Sequence, residues 1–430
     1  MSKNKYNVLI IGSGGREHAL AWKCSQSSKV KKLYVIPGNA GTANIAINYN
    51  INILDFREIS LFIKRNKINI VIIGPEEPLV KGIVDYLESE FKNTIIIVGP
   101  SQEASKLEGS KSWAKQFMLK YNIPTAPYHI VNKKNYYNGI EFFRSIDPPY
   151  VLKADGLAGG KGVYIANDLY EASIILKEYL DGKFGEASQL VVLEKFLRGK
   201  EVSFFSIVNG RNFILLPEAK DYKKAEDNDQ GLNTGGMGAF SHVPYVSENT
   251  KQKIFNSIIY RTVYGLIKEN IKYSGFIYFG LLIDELGNPY VLEYNVRLGD
   301  PEAQVILPKI NSDIIDMIEN IYIHKQPFKI NINNNYFVGV VLTSKGYPLN
   351  FETNKIIKFN FDLFKNDDFL IFFAGVKKEN EKYYTSGGRV ITIVSEAQTL
   401  MDAHSKVYDF ISKNINFENI YFRTDIGKFF

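Results

Sequence analysis

The sequence predicts a multidomain protein of mixed α/β and α+β class, opening with a parallel α/β domain and closing with a β-rich one. Three observations predict it. In the first hundred residues, short apolar runs that stop at Gly or Pro alternate with helical patterns, the mark of a parallel sheet covered by helices. The chain has 430 residues, more than the ~100–200 that one core usually serves. Beyond about Phe337 the apolar runs are β-rich.

Each element follows in order. Val8-Leu9-Ile10-Ile11 reads as a buried strand, then a glycine turn, then a helix through Glu17 to Lys23. The runs Leu33–Ile36, Ile70–Ile73 and Ile95–Val98 end at Pro37-Gly38, Gly74-Pro75 and Gly99-Pro100. These make an N-terminal α/β unit over 1–105. A helix around Ser110 to Tyr121 leaves it, and Pro124 and Pro127 mark a linker. Residues 128–193 hold two strands around Gly156–Gly162 and then a helix, which reads as a small separate lobe. Residues 106–127 with 194–330 form a central domain of longer strands. Runs such as Val338–Leu342 and Arg389–Val394 place the last domain at 331–430.

Composition excludes several classes. The net charge of +6 comes from 52 basic and 46 acidic residues, with no run of five basic residues. That describes a solvated surface rather than a nucleic-acid stripe. The single cysteine, Cys24, rules out an intrachain disulfide and reads as a packed small hydrophobe. No segment approaches the ~18 apolar residues of a membrane helix, and Val8–Ile11 is too short for a signal peptide's apolar region. A cytoplasmic protein with no membrane partner is expected.

The first chemical motif is Gly12-Ser13-Gly14-Gly15-Arg16-Glu17-His18, between a strand and a helix. Backbone N–H groups at such a turn can cradle a phosphate, or the turn can be purely structural. It is not a dinucleotide fingerprint. The third glycine is replaced by Glu17, and no acid follows the second strand, which ends in Pro37-Gly38-Asn39. The second motif runs from Lys153 to Val163 through Gly159, Gly160, Lys161 and Gly162. A strand lysine before a mobile glycine loop with its own lysine suits a triphosphate. No Gly-Lys-Ser/Thr opens a helix, so it is not a Walker loop. Glu194 and backbone at Lys195 and Phe196 suit an adenine edge, and Glu201 suits ribose hydroxyls, although each alone is as well read as a surface residue.

The fourth motif is Glu293-Tyr294-Asn295-Val296-Arg297, followed by Gly299-Asp300-Pro301-Glu302. On a strand Glu293, Asn295 and Arg297 share one face. A carboxylate and an amide oxygen suit Mg²⁺, whose remaining positions go to phosphates and water. Arg297 suits a carboxylate substrate and the charge of acyl transfer. Asp284, beside Gly287-Asn288, reads as a hairpin residue. Asp221 with Asn233-Thr234-Gly235-Gly236-Met237-Gly238 forms a polar loop able to close over a substrate. The five histidines are scattered, and only His18 faces a candidate loop. Together these features point to an enzyme that uses ATP and magnesium on a carboxylate substrate.

Taken together, the segments resemble the phosphoribosylamine–glycine ligase family of ATP-grasp enzymes over essentially the whole chain. The resemblance rests on Gly12 to Leu20, Pro37-Gly38-Asn39-Ala40-Gly41-Thr42, Gly74-Pro75-Glu76, and Leu107-Glu108-Gly109-Ser110-Lys111. It continues through Lys153 to Val163, Asn233 to Gly238, Glu293 to Glu302, and Ser386-Gly387-Gly388-Arg389-Val390. It implies a pre-ATP-grasp domain, a two-lobed ATP-grasp domain whose mobile lobe is 128–193, and a C-terminal domain. It also implies a reaction: glycine is phosphorylated by ATP to glycyl phosphate, which the amine of 5-phosphoribosylamine attacks. By resemblance Glu293 and Asn295 bind magnesium or manganese. Lys111, Lys153, Gly159 to Gly162, Glu194, Phe196 and Glu201 match ATP positions. Gly14, Gly15, Arg16, Glu17, Asn39 and Glu76 would hold the phosphoribosyl part, with Asn233 in the substrate loop. Asp221 and Arg297 would sit by glycine. A monomer with a single activity is expected.

The sequence departs from the family pattern at Tyr222, where His is common, at Lys224, where Arg follows Lys, and at Leu232, where Pro is usual. All three lie at the substrate loop. A sibling ATP-grasp ligase is the nearest alternative.

Overall fold

The structure is a computed structural model describing residues 5–326, 328–359 and 368–428. Its first sheet has five parallel strands in the order Ile47–Asn48, Val30–Pro37, Tyr6–Gly12, Ile70–Ile73, Ile96–Val98. The two-residue strand Ile47–Asn48 carries no apolar run and was not legible in the sequence. Side chains alternate across the sheet. Leu9 and Ile11 pack in one core with Ile59, Phe62 and Leu87 from the helices Phe56–Asn66 and Ile83–Phe91. Val8 and Ile10 pack in another with Leu20 of the helix Gly15–Ser25 and with Ile306 and Ile318 of the central domain. The chain winds away from the strand Tyr6–Gly12 on both sides. The crevice at the carboxyl ends of Tyr6–Gly12 and Ile70–Ile73 is therefore the switch point where such sheets bind ligands.

The small lobe is an antiparallel sheet in the order Tyr128–Val131, Val191–Lys195, Tyr150–Ala154, Val163–Ala166. It has its own core, in which Phe143, Leu152, Leu176 and Leu193 meet under the helices Tyr136–Arg144 and Leu169–Leu180. The glycine loop joins two of its strands. Gly159 and Gly160 have φ of +57° and +77°, and a Cβ at either would meet nothing within 4 Å. The tip of the loop thus stands free of packing.

The central sheet is antiparallel and crosses from the central domain into the tail. Its path runs Pro289–Asn295, Ser274–Ile283, Lys200–Asn209, Asn212–Asp221, Gly238–Ser241, Tyr336–Ser344, Arg389–Ala397, Phe369–Phe373. The crossing is the ladder of Gly238–Ser241 with Tyr336–Ser344. A second sheet in the tail orders Val376–Glu379, Lys382–Thr385, Ile356–Phe359, Ile415–Phe417. The tail also holds a helix, Leu400–Asn414, that the β-rich reading left out. Thr399 caps it, and Ala403, Val407, Phe410 and Ile411 form its buried stripe. Asp284 accepts from the N–H groups of Leu286 and Asn288 in the turn between Ser274–Ile283 and Pro289–Asn295, a hairpin as its sequence suggests. Cys24 is fully buried, and burial pushes its thiol up to about 12. No helix among the described residues is long and apolar enough to cross a membrane.

Candidate active site

At the switch point, Glu17 folds back from the first turn of its helix. Its Oε2 accepts the Gly14 N–H at 2.6 Å, and Arg16 Nε donates to its Oε1 at 2.5 Å. Gly12 and Gly74 leave the room for this, since a Cβ at either would overlap the Glu17 side chain. The Arg16 N–H points to Asp300 Oδ2 at 3.3 Å. Two amides that a bare phosphate cradle would leave open are therefore held by carboxylates: that of Gly14 by Glu17, which stands where a fingerprint has glycine, and that of Arg16 by Asp300. Arg16 also donates to Leu298 O at 3.1 Å, clamping this domain to the central one. Asn39 spends its side chain on backbone. It donates to Ser13 O and Phe373 O and accepts from Gly41 and Thr42 N–H, all within 3.0 Å. Its part is to shape the loop from inside.

His18, the histidine facing this loop, is not a free acid or base. It is buried, its Nδ1 accepts the Phe373 N–H at 2.8 Å, and its ring lies edge-on to Phe372 and Phe373. Burial lowers its pKa to about 3, the Phe373 contact notwithstanding. It is a neutral pin between the first domain and the tail.

Arg297 occupies the centre of the cleft. Its Nη2 lies 3.0 Å from Glu108 Oε1 and donates to Asn295 Oδ1 at 3.2 Å, and its Nε donates to Glu76 Oε2 at 3.3 Å. Glu108 Oε2 accepts the Val296 N–H at 2.7 Å. Burial raises Glu108 to about 7 against the pull of Arg297. Glu76 goes the other way: burial pushes it up, but Arg297 and Arg16 outweigh burial and hold it low. A bulge at Leu292 resets the strand, so Glu293 pairs with Gly280 and Asn295 with Tyr278. Glu293, Asn295 and Arg297 then face the same cleft.

Beside them Lys223 stands among three carboxylates. Its Nζ is 3.5 Å from Glu201 Oε2, 3.6 Å from Glu293 Oε1 and 4.0 Å from Asp221 Oδ2. Burial disfavours its charge, yet Asp221, Tyr278, Glu201 and Glu293 hold its pKa well above the ordinary lysine value. Tyr278 accepts from Ser203 Oγ at 2.8 Å at the floor of this cluster. Glu302, at the start of the helix Glu302–Lys309, is buried nearby, and burial with Asp221 raises it to about 7. No group of three or more His, Cys, Asp or Glu among the described residues forms a metal cage. Two oxygen donors, from Glu293 and Asn295, fit an ion that keeps water and phosphate ligands.

The lysines meet on the lobe side. Lys153 Nζ lies 2.9 Å from Glu194 Oε1 and donates to Leu292 O at 3.0 Å. Glu194 Oε1 is buried and pairs with the Lys153 ammonium, and a carboxylate oxygen has a further lone pair with which to accept from a ligand. Lys111 donates to Gly156 O at 3.1 Å and so ties the helix Lys111–Lys120 to the glycine loop. Phe196 is half-buried and Glu201 half-exposed at the same mouth. Lys161 is exposed at the loop tip, apart from the others.

Three family models cover the chain: Phosphoribosylglycinamide synthetase N domain (residues 6–108), ATP-grasp (A) domain (109–303) and C domain (337–429). A curated relative from Halalkalibacterium halodurans, named phosphoribosylamine–glycine ligase, is 42% identical over 422 residues, covering 98% of this chain and 96% of its own. The chain belongs to the phosphoribosylglycinamide synthetase family. The solved phosphoribosylamine–glycine ligase of Thermotoga maritima has a TM-score of 0.82 at 34% identity, covering 98% of this chain and 100% of that one. A biotin carboxylase domain from Hydrogenobacter thermophilus, crystallised with MgADP, ADP and bicarbonate, has a TM-score of 0.72 and covers 97% of this chain and 92% of that one. At 16% identity it shares the fold alone.

Within the phosphoribosylglycinamide synthetase frame, the departures at the substrate loop have local reasons. Tyr222 packs under Arg423, whose guanidinium carbon is 4.8 Å from the ring centroid, and its hydroxyl accepts the Gly427 N–H at 3.0 Å. The side chain thus faces the tail. Leu232 is half-exposed, outside the ladder pairs Lys224–Asn233 and Glu226–Gln230. Asn233 holds the loop through the first of those pairs. Arg389 reaches from the tail to Gly235 O at 2.7 Å and to Asp300 O at 2.5 Å. Sequence reasoning missed Glu108, Lys115, Lys223, Glu302 and Arg389 as site residues. Glu108, Glu302 and Arg389 lay inside the quoted motifs, whereas Lys115 carried no signal beyond its place one turn after Lys111.

Proposed function

We propose that this chain ligates glycine to 5-phosphoribosylamine with ATP, yielding glycinamide ribonucleotide, ADP and phosphate in purine biosynthesis. The observation that carries it is one cleft holding Glu293, Asn295 and Arg297 between the lysines of the nucleotide side and the switch-point loops. A carboxylate is a poor acyl donor. Its oxygen attacks the γ-phosphorus, the bond to the β-bridging oxygen breaks, and ADP leaves. The amine nitrogen then attacks the acyl carbon, the C–O bond to phosphate breaks, and the nitrogen gives up a proton. The protein's work is positioning and charge neutralisation.

In this reading Lys111, Lys153 and the Gly159–Gly162 loop with Lys161 meet the phosphates. Glu194 accepts from the adenine amino group, Phe196 lies at the base and Glu201 takes ribose hydroxyls. Glu293 and Asn295 hold magnesium, which when bound supplies charge neutralisation at the transferred group. Arg297 orients the glycine carboxylate, with Asp221 beside the ammonium. Gly14, Gly15, Arg16, Glu17 and Glu76 line the sugar side, where carboxylates suit hydroxyl donors. Asn39 and Asn233 shape the surrounding loops.

The test is ADP release with glycine, Mg²⁺-ATP and phosphoribosylamine made in situ, omitting each in turn. Turnover that needs both glycine and the amine is expected. ADP release that responds to another acid or amine and ignores these two would assign a sibling ligase instead.

A further inference from the structure

The base end of the nucleotide site holds a cation that the chemistry above does not use. Lys115 lies one turn beyond Lys111 on the helix Lys111–Lys120 and is 2% exposed. Its Nζ donates to Thr125 Oγ1 at 2.7 Å and stands 3.1 Å from Glu194 Oε2. Thr125 Oγ1 donates in turn to Val291 O at 2.7 Å. Lys153 faces the other oxygen of the same carboxylate. Two ammonium groups therefore share one buried glutamate. A pair alone would balance; the extra positive charge is costly to bury unless an anion joins it.

The two lysines are not equivalent. Lys153 is on the lobe strand that leads into the glycine loop, and its charge acts on Glu293 as well as on Glu194. Lys115 is fixed to the body through Thr125 and Val291, and among the described residues its carboxylate partner is Glu194.

We propose that Lys115 is the standing counter-charge of Glu194, which keeps that carboxylate ionised and aimed at the base while Lys153 exchanges it for the nucleotide phosphates. The inference rests on the nucleotide site proposed above. Burial pushes Lys115 down to about 8, and Glu194 pulls it back toward the charged form. Burial likewise opposes the charge of Glu194, and Lys153 and Lys115 together overcome it. Among the described residues the charged groups facing Glu194 are these two, with the Tyr128 ring 5.6 Å from Lys115 Nζ. Without Lys115, departure of Lys153 would leave a buried carboxylate with no cation, and such a group takes up a proton. Lys115 is thus a positioning residue.

The experiment is titration calorimetry of the full chain at pH 7, where Lys115 is already mostly charged, with ATP and with adenosine, in buffers of different ionisation enthalpy. Wild type and Lys115→Arg should bind ATP with almost no proton uptake. Lys115→Met should take up about one proton per ATP and lose about tenfold or more in ATP affinity. Adenosine, which has no phosphates to draw Lys153 away, should bind Lys115→Met within about threefold of wild type. Lys153→Met should weaken ATP but not adenosine, and this arm decides if Lys115→Met does not fold. Lys115→Met binding ATP like wild type without proton uptake would overturn the inference. So would Lys153→Met losing adenosine as severely as ATP. Wild type that binds neither ligand would instead sink the nucleotide-site reading.

Discussion

Replacing Arg423 by Met should unhinge the substrate loop from the far end of the chain. Arg423 is 1% exposed. It makes a two-pronged contact with Asp425, Nε to Oδ1 at 2.7 Å and Nη2 to Oδ2 at 2.6 Å, and its Nη1 donates to Asp229 Oδ1 at 2.8 Å and Lys224 O at 3.1 Å. Asp425 also accepts the Asn228 N–H, and Thr424 N–H donates to Asp227 Oδ1. The loop after Asp221 is thereby bound to the strap Arg423–Gly427. Methionine fills the volume but leaves Asp425 buried without its cation. Breaking such a pair from one side costs about 3–5 kcal/mol, and the lost stacking on Tyr222 adds roughly 1–2. Asp229 is exposed and adds little. Urea unfolding followed by circular dichroism should show a loss of at least about 3 kcal/mol. ADP release should fall in parallel through KM for glycine and the amine. Arg423→Lys should recover less than half of the loss, because one ammonium cannot reproduce the fork. A loss under about 1 kcal/mol with unchanged kinetics would refute the idea that this strap holds the loop.

Other expectations follow from single contacts. Tyr222→Phe removes one acceptor for the Gly427 N–H and should cost about 1 kcal/mol by urea melts. Tyr222→His, the common family residue, should lose the Arg423 stack and destabilise further. Glu293→Ala should abolish magnesium-dependent ADP release while leaving the melting curve of the metal-free protein within about 1 kcal/mol, as the residue is only half-buried; unchanged turnover would remove it from the metal site. Glu108 rises from 4.5 to about 7 on folding, so its contribution is complete below pH 4.5 and falls away as pH climbs through 7, by about 3 kcal/mol at pH 8. Glu108→Gln should flatten that slope between pH 5 and 8, measured by urea melts at each pH. His18 falls from 6.5 to about 3. The unfolded chain binds its proton first, so the His18 contribution should fall by about 2 kcal/mol from pH 7 to 5, against the gain from Glu108; His18→Asn should lack that fall and tolerate acidification better than wild type by about the same amount.

Much of the fold was legible because its signals are local. A buried parallel strand such as Ile70–Ile73 is a run of β-branched residues stopped by glycine, and its edges match the observed strand. The short edge strand Ile47–Asn48 buries too little to leave such a run. Of the site, Glu293, Asn295 and Arg297 were legible by parity on one strand, even though a bulge lies beside them. Their partners were not. Glu108 meets Arg297 across 189 positions, that is 297 minus 108. Lys115 meets Glu194, on the lobe's strand Val191–Lys195. No spacing rule encodes either meeting. His18 misled for a related reason: its neighbours in sequence are the loop, but its neighbours in space are Phe372 and Phe373.

These long-range contacts share one property, which is that each joins pieces far apart in the chain. Arg297 bonds Glu76 of the first sheet's domain, and Arg16 of that domain bonds Leu298 O. His18 accepts from Phe373, and Arg389 of the tail reaches Gly235 and Asp300. Several buried charges thus find part of their balance across domain borders. Docking and site assembly are therefore the same event. A first domain cut at about residue 108 would keep its sheet, because Leu9, Ile11, Ile59 and Leu87 pack within it. It would lose Leu298 O and Asp300 from Arg16, Arg297 from Glu76 and Phe373 from His18 together. Such a fragment should fold yet expose the apolar face of Val8, Ile10 and Leu20, which the intact chain covers with Ile306 and Ile318.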